Sequence, residues 1–150
     1  MLKNKNGITL TALIITLLVI IVIVGTTIVS SMDIVRNSDK SRLKTNLYLI
    51  KARAETLLED YLFDGTDNLG EEASKSQISS VGFDEYTGDY IYRVWDESKL
   101  QEEGISTEEL KTSEIFIVQY DVENDTVDVA STAGYEDEDG NYIYILSEFE

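Results

Sequence analysis

The chain contains no cysteine, no histidine and no proline among its 150 residues. The absence of cysteine excludes disulfide bonds and thiolate chemistry. The absence of histidine removes the commonest general base and the commonest metal ligand. The carboxylate pairs that remain are sequence neighbours, which do not face one another on a helix. From these absences we expect no enzymatic activity, no cofactor and no dedicated metal site.

Basic residues are scarce as well. The 12 Lys and Arg residues stand against 29 Asp and Glu residues, which gives a formal net charge of −17. A surface of this sign repels nucleic acid and anionic lipid headgroups, so we expect no direct nucleic-acid partner. Because the acidic residues are interleaved with aromatic and β-branched runs, the charge does not predict disorder.

Charge of either sign is missing between Lys5 and Asp33. Residues 8–29, folded as a helix, would extend about 33 Å, enough to cross the hydrocarbon core of a bilayer. A short leader that carries Lys3 precedes this apolar run and ends at Gly7. A secretory signal would have a shorter apolar region and a small-residue cleavage site after it. We therefore predict that the apolar segment is retained in the mature protein.

After the apolar run, apolar residues no longer occur on every side of the predicted helix and are confined to one stripe. From Leu43 onward, apolar residues recur at steps of three and four, which is typical of an amphipathic helix. We predict one long helix over residues 8–63, loosened at Gly25 or at 37–39 and ended by Gly65. The stripe could form a coiled-coil seam, but packing against a sheet of the same chain is favoured. The apolar stripe consists of Leu43, Leu47, Ile50, Ala54, Leu57, Leu58 and Tyr61.

Four runs rich in aromatic and β-branched residues follow the helix and predict about four antiparallel strands. A hairpin loop at 121–125 and a turn at Gly140 join them. A helix followed by strands predicts an α+β fold, in which the striped half of the helix covers one face of the small sheet. The predicted strands are 90–95, 114–120, 126–130 and 142–146. The residues expected on the covered face include Val94, Ile115, Ile117, Val127, Val129, Ile143 and Ile145.

Two short helical inserts are also predicted. Ser106 and Glu109 have the spacing of a capping box, which places a short helix within 97–111. The segment 65–82 is rich in Gly, Ser and acidic residues and predicts a surface loop, with one helical turn near 71–75.

The N-terminus resembles the processing motif of type IV pilins and pseudopilins. The leader Lys-Asn-Lys-Asn-Gly ends in a glycine, and the Ile-Thr-Leu that follows is similar to the start of mature members. The resemblance implies that prepilin peptidase cuts after Gly7 and methylates the new amine of Ile8. It also implies three parts, namely a leader at 1–7, a transmembrane or filament-core helix at 8–32, and an extracytoplasmic pilin-like domain at 33–150.

The same resemblance implies a location and partners. The chain is expected to cross the bacterial cytoplasmic membrane once, with its N-terminus inside and its C-terminal domain outside. It would then assemble through its apolar helix with other pilin subunits into a surface filament. That filament would be a type IV pilus or a pseudopilus of the secretion or competence type.

One position departs from the family pattern. The family usually has Glu at the fifth mature position, which is Ala12 in this chain. In the family that carboxylate is thought to pair with the N-terminal amine of a neighbouring subunit. An isolated charge in an apolar core is costly unless it is paired. The missing carboxylate therefore favours a minor subunit over the major, repeating one.

Other readings of the membrane segment stay open. The apolar segment could be the unprocessed anchor of an extracytoplasmic binding domain that never polymerises. Four basic residues follow the segment, and by the positive-inside rule they favour a cytoplasmic C-terminus. In that orientation the chain would be an acidic adaptor facing the cytoplasm. The four basic residues are Arg36, Lys40, Arg42 and Lys44.

Two surface features admit a binding role. The acidic run from Glu136 to Asn141 does not fit an EF-hand, but it could form a looser calcium cage or a solvated turn. Several tyrosines could form a sugar-binding platform or could pack in the core and across strands. They include Tyr86, Tyr90, Tyr92, Tyr135, Tyr142 and Tyr144.

Overall fold

The structure is a computed structural model that describes the backbone of residues 5–83 and 89–149. Side chains are described for the same residues except 5–9 and 23–33. Close contacts divide the chain into a first unit, Met1–Asp39, and a second unit, Lys40–Glu150. The elements are α1 (Lys5–Asp64), β1 (Glu71–Glu72), α2 (Lys75–Ser80), β2 (Tyr90–Trp95), α3 (Glu97–Glu102), β3 (Phe116–Asp121), β4 (Thr126–Glu136), β5 (Tyr142–Ile145) and a 3₁₀ helix (Leu146–Phe149).

The long helix predicted over residues 8–63 corresponds to α1, which has 60 residues. Helical structure covers both Gly25 and residues 37–39, so the predicted loosening at those points is wrong. The predicted stop is confirmed. Gly65 has a φ of 78°, and its N–H donates to the carbonyl oxygen of Tyr61 at 3.0 Å. Glycine adopts this left-handed conformation without the penalty of a Cβ atom, and it therefore ends the helix.

In the first unit, the described side chains at 10–22 and 34–38 are exposed. Considering only the helical residues with described side chains, none of the helices combines the length and the hydropathy that a membrane crossing requires. The predicted membrane or filament-core segment, 8–32, lies partly outside those residues, at positions 8–9 and 23–32.

The second unit contains a five-stranded antiparallel sheet in the order β1-β2-β3-β4-β5. The four predicted strands correspond to β2, β3, β4 and β5, and β4 runs to Glu136 instead of ending at 130. β1 was not predicted, and the helical turn expected at 71–75 is wrong, because α2 begins only at Lys75. Glu71 and Glu72 pair with Val94 and Arg93 of β2. A two-residue strand has no periodicity to read, so only its partner strand reveals it.

Both short helices begin at polar caps. Ser74 caps α2 in a capping box, and the Asp96 side chain accepts the N–H of Lys99 at 2.9 Å to cap α3. The capping box predicted at Ser106 is wrong, because that segment is a turn outside the helix. α3 starts earlier than expected and is closed by Gly104, which has a φ of 76°. The chain does contain a capping box, but it lies at Ser74 and Gln77 of α2, about thirty residues before Ser106.

One face of the sheet packs against the second half of α1. Strands β2, β3 and β4 place Trp95, Phe116 and Val129 in the same buried cluster as the helical stripe. The predicted packing of the stripe on its own sheet is therefore confirmed. The buried residues of this cluster are Leu43, Leu47, Ile50, Ala54, Leu57, Leu58, Leu69, Trp95, Leu100, Phe116, Val118, Tyr120, Val127, Val129, Tyr135 and Leu146.

The opposite face of the sheet is covered by α2 and the residues that follow it. Ile78, Val81 and Phe83 pack there on a second buried cluster that contains Ile117. The expectation that Ile117 faces the long helix is therefore wrong, as it is for Val94, Ile115 and Ile145, which also belong to this second cluster. β3 is apolar on both faces, so alternation could not tell which face the helix covers.

A bulge in β4 depends on one glycine. The β4–β5 register shifts between Ala130 and Tyr135, and Gly134 within this stretch has a φ of 61°. A Cβ atom added to Gly134 would lie 2.6 Å from Cε1 of Tyr144 and 3.3 Å from the carbonyl oxygen of Ile143. The position therefore requires a residue without a side chain, both for its backbone conformation and for the space it occupies.

We expect Gly134→Ala to lower the free energy of unfolding by about 2 kcal/mol, since the clash adds to the cost of a positive φ. Urea unfolding of the full chain in detergent, followed by the fluorescence of Trp95, measures this loss. Gly104→Ala is the matched control. Gly104 also has a positive φ, but an added Cβ atom meets nothing within 4 Å. Equal losses in the two variants would show that contact with Tyr144 contributes nothing.

Candidate functional site

The predicted processing residues lie at the start of α1. Lys5, Gly7 and Ile8 have helical backbone, their side chains lie outside the described set, and Lys3 lies outside the described residues altogether. The predicted cleavage point therefore falls within the first turn of the helix, just before the described apolar residues begin.

Residues 10–22 form an apolar segment that is exposed along its whole length. It contains ten large aliphatic side chains, each between 50% and 65% exposed. Thirteen helical residues cover more than three turns, so apolar side chains point in every direction around the helix. Exposed apolar surface of this extent marks a site of association with protein or lipid.

The polar side-chain atoms of this apolar segment add little to the free-energy cost of burying it. Thr16 donates its hydroxyl to the carbonyl oxygen of Ala12 at 2.8 Å, so this hydroxyl is already hydrogen-bonded within the helix. Ala12 itself is exposed and offers only a methyl group. The segment can therefore enter an apolar environment without the cost of an unsatisfied hydroxyl at Thr16. It brings no carboxylate with it.

A nearly buried ion pair ties α1 to the sheet in the second unit. Nη1 of Arg42 lies 3.3 Å from Oε2 of Glu114, and the two side chains are 13% and 0% exposed. The other carboxylate oxygen of Glu114 accepts the hydroxyl of Ser131 at 2.7 Å, and Oε2 also accepts the backbone N–H of Lys111 at 2.9 Å. A carboxylate with three such partners holds the helix, the start of β3 and the middle of β4 in one geometry.

A second group of ion pairs lies further along α1. Nε of Arg53 and Nζ of Lys99 each lie 2.6 Å from an oxygen of Glu103. Burial by itself would raise the pKa of Glu103, but the hydrogen bonds from Lys99 and Arg53 outweigh this effect and lower that pKa below its usual range. Glu103 is therefore ionised at neutral pH and joins α1 to the end of α3.

The ion pairs of Glu114 and Glu103 were not predicted from the sequence. Glu114 and Glu103 are two among 29 acidic residues, and no motif or spacing sets them apart. The single available signal is the position of Glu114 directly before an apolar strand, which is equally typical of a solvated strand end. Arg42, the partner of Glu114 on α1, stands out in the sequence only as one of the basic residues that follow the apolar segment.

The acidic loop provides no evident calcium site. The carboxylate of Asp137 accepts the backbone N–H groups of Asp139 and Asn141 at 2.9 and 2.8 Å. The hydrogen bond from the Asn141 backbone is the main reason that the pKa of Asp137 is lowered. Across the described residues, no group of three or more carboxylates is placed to hold a metal ion. Asp137 organises the turn through its own hydrogen bonds, which matches the solvated-turn reading.

The tyrosines do not form one platform among the described residues. Tyr92 and Tyr135 are buried in different clusters on opposite faces of the sheet. Tyr142 is exposed, and its ring stacks on that of Tyr144 with centroids 5.9 Å apart. Tyr86 lies outside the described residues. Tyr92 and Tyr135 therefore serve packing, as the cross-strand alternative predicts.

Two shallow clefts of about 280 and 300 Å³ open on the second unit. The first contains Asp121 and Asp128, but their carboxylates accept hydrogen bonds from Asn124 and Ser147. Both acids are thus engaged in local structure. The second cleft is lined mainly by polar residues around Asp67 and Lys99. Within the first cleft a hydroxyl and a carboxylate are in direct contact, since Ser147 donates to Asp128 at 2.6 Å.

No protein-family model, no curated protein and no solved structure matches this chain. The functional argument therefore depends on the residues and the geometry described above.

Proposed function

We propose that this chain is a minor structural subunit of a type IV pilus or of a pseudopilus of the secretion or competence type. In this proposal prepilin peptidase cuts after Gly7 and methylates Ile8. The apolar helix then holds the subunit in the cytoplasmic membrane, with the C-terminal domain outside, and later packs with the helices of other pilin subunits.

The observation that carries the proposal is the exposed apolar segment at 10–22, which directly follows a basic leader ending in Gly7. Exposed aliphatic side chains on every side of a helix are stable in lipid or among other apolar helices. A subunit that moves from membrane to filament needs a helix suited to both surroundings. The segment supports this need, because its described side chains carry no charge.

The domain supports the same role. The Arg42–Glu114 ion pair and an extended buried cluster fasten the second half of α1 to the sheet, and the Arg53–Glu103 ion pair joins it to α3. The absence of a carboxylate at Ala12 supports a minor subunit, since the amine of a neighbour would find no partner there.

The rival proposal is an anchored extracytoplasmic binding domain that never polymerises. It uses the same apolar segment, but as a permanent membrane anchor with its leader intact. Processing and assembly separate the two proposals, because a simple anchor needs neither.

The test is to shear filaments from cells that express the chain and to determine the N-terminal mass of the protein recovered. We expect a chain that lacks the first seven residues, begins at a methylated Ile8 and is present in the filament fraction. A matched culture without prepilin peptidase should yield only the full-length chain in the membrane. Intact Met1 in peptidase-positive cells, or absence from every filament fraction, would refute the proposal.

A further inference from the structure

One asparagine of the chain stands in the acceptor tripeptide for N-linked glycosylation. That tripeptide is Asn, then any residue except proline, then Ser or Thr. Asn124, Asp125 and Thr126 satisfy it, and none of the other six asparagines does. Asn37 comes nearest, but its serine follows directly instead of one residue later. The tripeptide is used on surface loops of domains that leave the cytoplasm, where the proposed function places the C-terminal domain.

The acceptor tripeptide lies at the tip of the hairpin that joins β3 to β4. Asn124, Asp125 and Thr126 are all exposed. Asp125 has a φ of 54°, a left-handed conformation that turns the chain directly after the asparagine. A transferase can act only on an asparagine that it can surround, and an exposed hairpin tip allows this approach. The position therefore suits modification of the folded domain as well as of the nascent chain.

The side-chain amide of Asn124 can carry a sugar without losing the hydrogen bond that shapes the hairpin. Its Nδ2 donates to Oδ2 of Asp121 at 2.7 Å, and the Asn124 backbone N–H donates to Oδ1 of Asp121 at 3.0 Å. These bonds are the main reason that the pKa of Asp121 is lowered, so the acceptor is ionised at neutral pH. A primary amide has two N–H groups, and one remains after the bond to Asp121 is made.

A polar cleft lies beside the acceptor tripeptide. Asp121 and Thr126, which flank Asn124 in the hairpin, both line this cleft of about 280 Å³. The volume corresponds to roughly nine water molecules, which is enough space for one sugar ring with its hydroxyls. The other polar side chains of the lining supply donors and acceptors for hydroxyl groups. They are Lys51, Tyr90, Gln119, Asp128 and Ser147.

We propose that Asn124 carries an N-linked saccharide and that its first sugar lies in this cleft. Nδ2 of Asn124 forms a bond to the anomeric carbon of a saccharide that is linked to a polyprenyl diphosphate. The bond from that carbon to the diphosphate oxygen breaks, the diphosphate leaves with the electron pair, and the amide proton passes to a base of the transferase. The inference rests on the proposed function only for the location of the C-terminal domain outside the cytoplasm.

Intact-mass measurement and peptide mapping of the full chain, isolated from the cells that produce it, test the modification. We expect an added saccharide mass on the peptide that contains Asn124. Asn124→Gln and Thr126→Ala should each lose this mass completely, because each removes a required member of the tripeptide. Thr126→Ser preserves the tripeptide and should keep the mass. Asn68→Gln is the matched control, since Asn68 is an exposed asparagine outside any such tripeptide.

Enzymatic release of the saccharide tests its place in the cleft. An amidase that cuts the bond between Asn124 and the sugar should act severalfold more slowly on the folded chain than on the chain unfolded in urea. Lys51→Ala should speed release from the folded chain severalfold. Lys51 lines the cleft and takes part in none of the ion pairs found among the described residues. Lys44→Ala, on the same helix but outside the cleft lining, should leave the rate unchanged.

The outcomes separate the inference from the proposed function. Filaments of processed chain in which Asn124 is unmodified would overturn the inference and leave the proposed function intact. A saccharide that persists in Asn124→Gln is attached elsewhere and would overturn the assignment as well. A chain that carries the saccharide on Asn124 but retains Met1 would support the inference and refute the proposed function. Equal release rates from Lys51→Ala and the parent chain would overturn the placement of the sugar in the cleft.

Discussion

Gly7→Val is expected to abolish maturation, leaving at least about 99% of the chain at its full length, a penalty equivalent to roughly 3 kcal/mol on the cleavage step. A glycine beside the cut bond lets the peptidase backbone and catalytic groups approach closely, and a β-branched side chain blocks that approach. The measurement is the N-terminal mass of chain isolated from membranes of cells with active prepilin peptidase. The unprocessed variant should be absent from sheared filaments.

Asn6→Ala is the matched control for this experiment, because it alters the neighbouring residue without placing bulk on the glycine. It should be processed at a rate close to that of the parent chain. Normal maturation of Gly7→Val would mean that cleavage at this position does not occur or does not depend on glycine. A block in both variants would show only that the leader as a whole is recognised.

Glu114→Ala is expected to lower the free energy of unfolding by about 3 kcal/mol, because it leaves the nearly buried guanidinium of Arg42 without its carboxylate. The substitution also removes the acceptor for the hydroxyl of Ser131 and for the backbone N–H of Lys111. The buried hydroxyl of Ser131, left without this acceptor, adds its own cost. Urea unfolding of the full chain, monitored by Trp95 fluorescence, gives the value.

The control is Glu123→Ala, which removes an exposed carboxylate at the β3–β4 hairpin and should change stability by less than about 0.5 kcal/mol. The double variant Arg42→Ala with Glu114→Ala should lose less than the sum of the two single variants, since neither charge is then left alone. A loss from Glu114→Ala as small as that of the control would contradict the structural role given to this ion pair.

The elements that sequence predicts well are those with a regular pattern of many residues. The stripe that begins at Leu43 repeats over five turns, so its helix and its buried face could be predicted together. The turns at Gly65 and Gly140 were predictable because a positive φ is a property of a single residue. The predictions at Gly7, Ile8 and Ala12 also rest on local residues, and they stay predictions.

Prediction failed where two solutions satisfy the same local rule. β3 has apolar residues at successive positions, so either Ile117 or Phe116 could have faced the long helix. α2, Val81 and Phe83 cover the second face, and this layer decides the matter in the structure. The capping box at Ser106 was a valid local signal, but Gly104 closes the preceding helix and Asp96 starts it. Between Asp96 and Ser106 as possible starts, the structure uses Asp96, because the helix that begins there places Leu100 in the core, where it is fully buried.

The amino-acid sequence alone determined the long helix, the apolar and uncharged character of its first half, the resemblance of the leader and the overall α+β order. Each of these follows from hydrophobic periodicity or from the conformational properties of single residues. The tertiary structure alone decided that Arg42 pairs with Glu114, that Arg53 pairs with Glu103, and which layer covers each face of the sheet. The two ion pairs join residues that are 72 and 50 positions apart in the chain, and no local pattern encodes such a meeting.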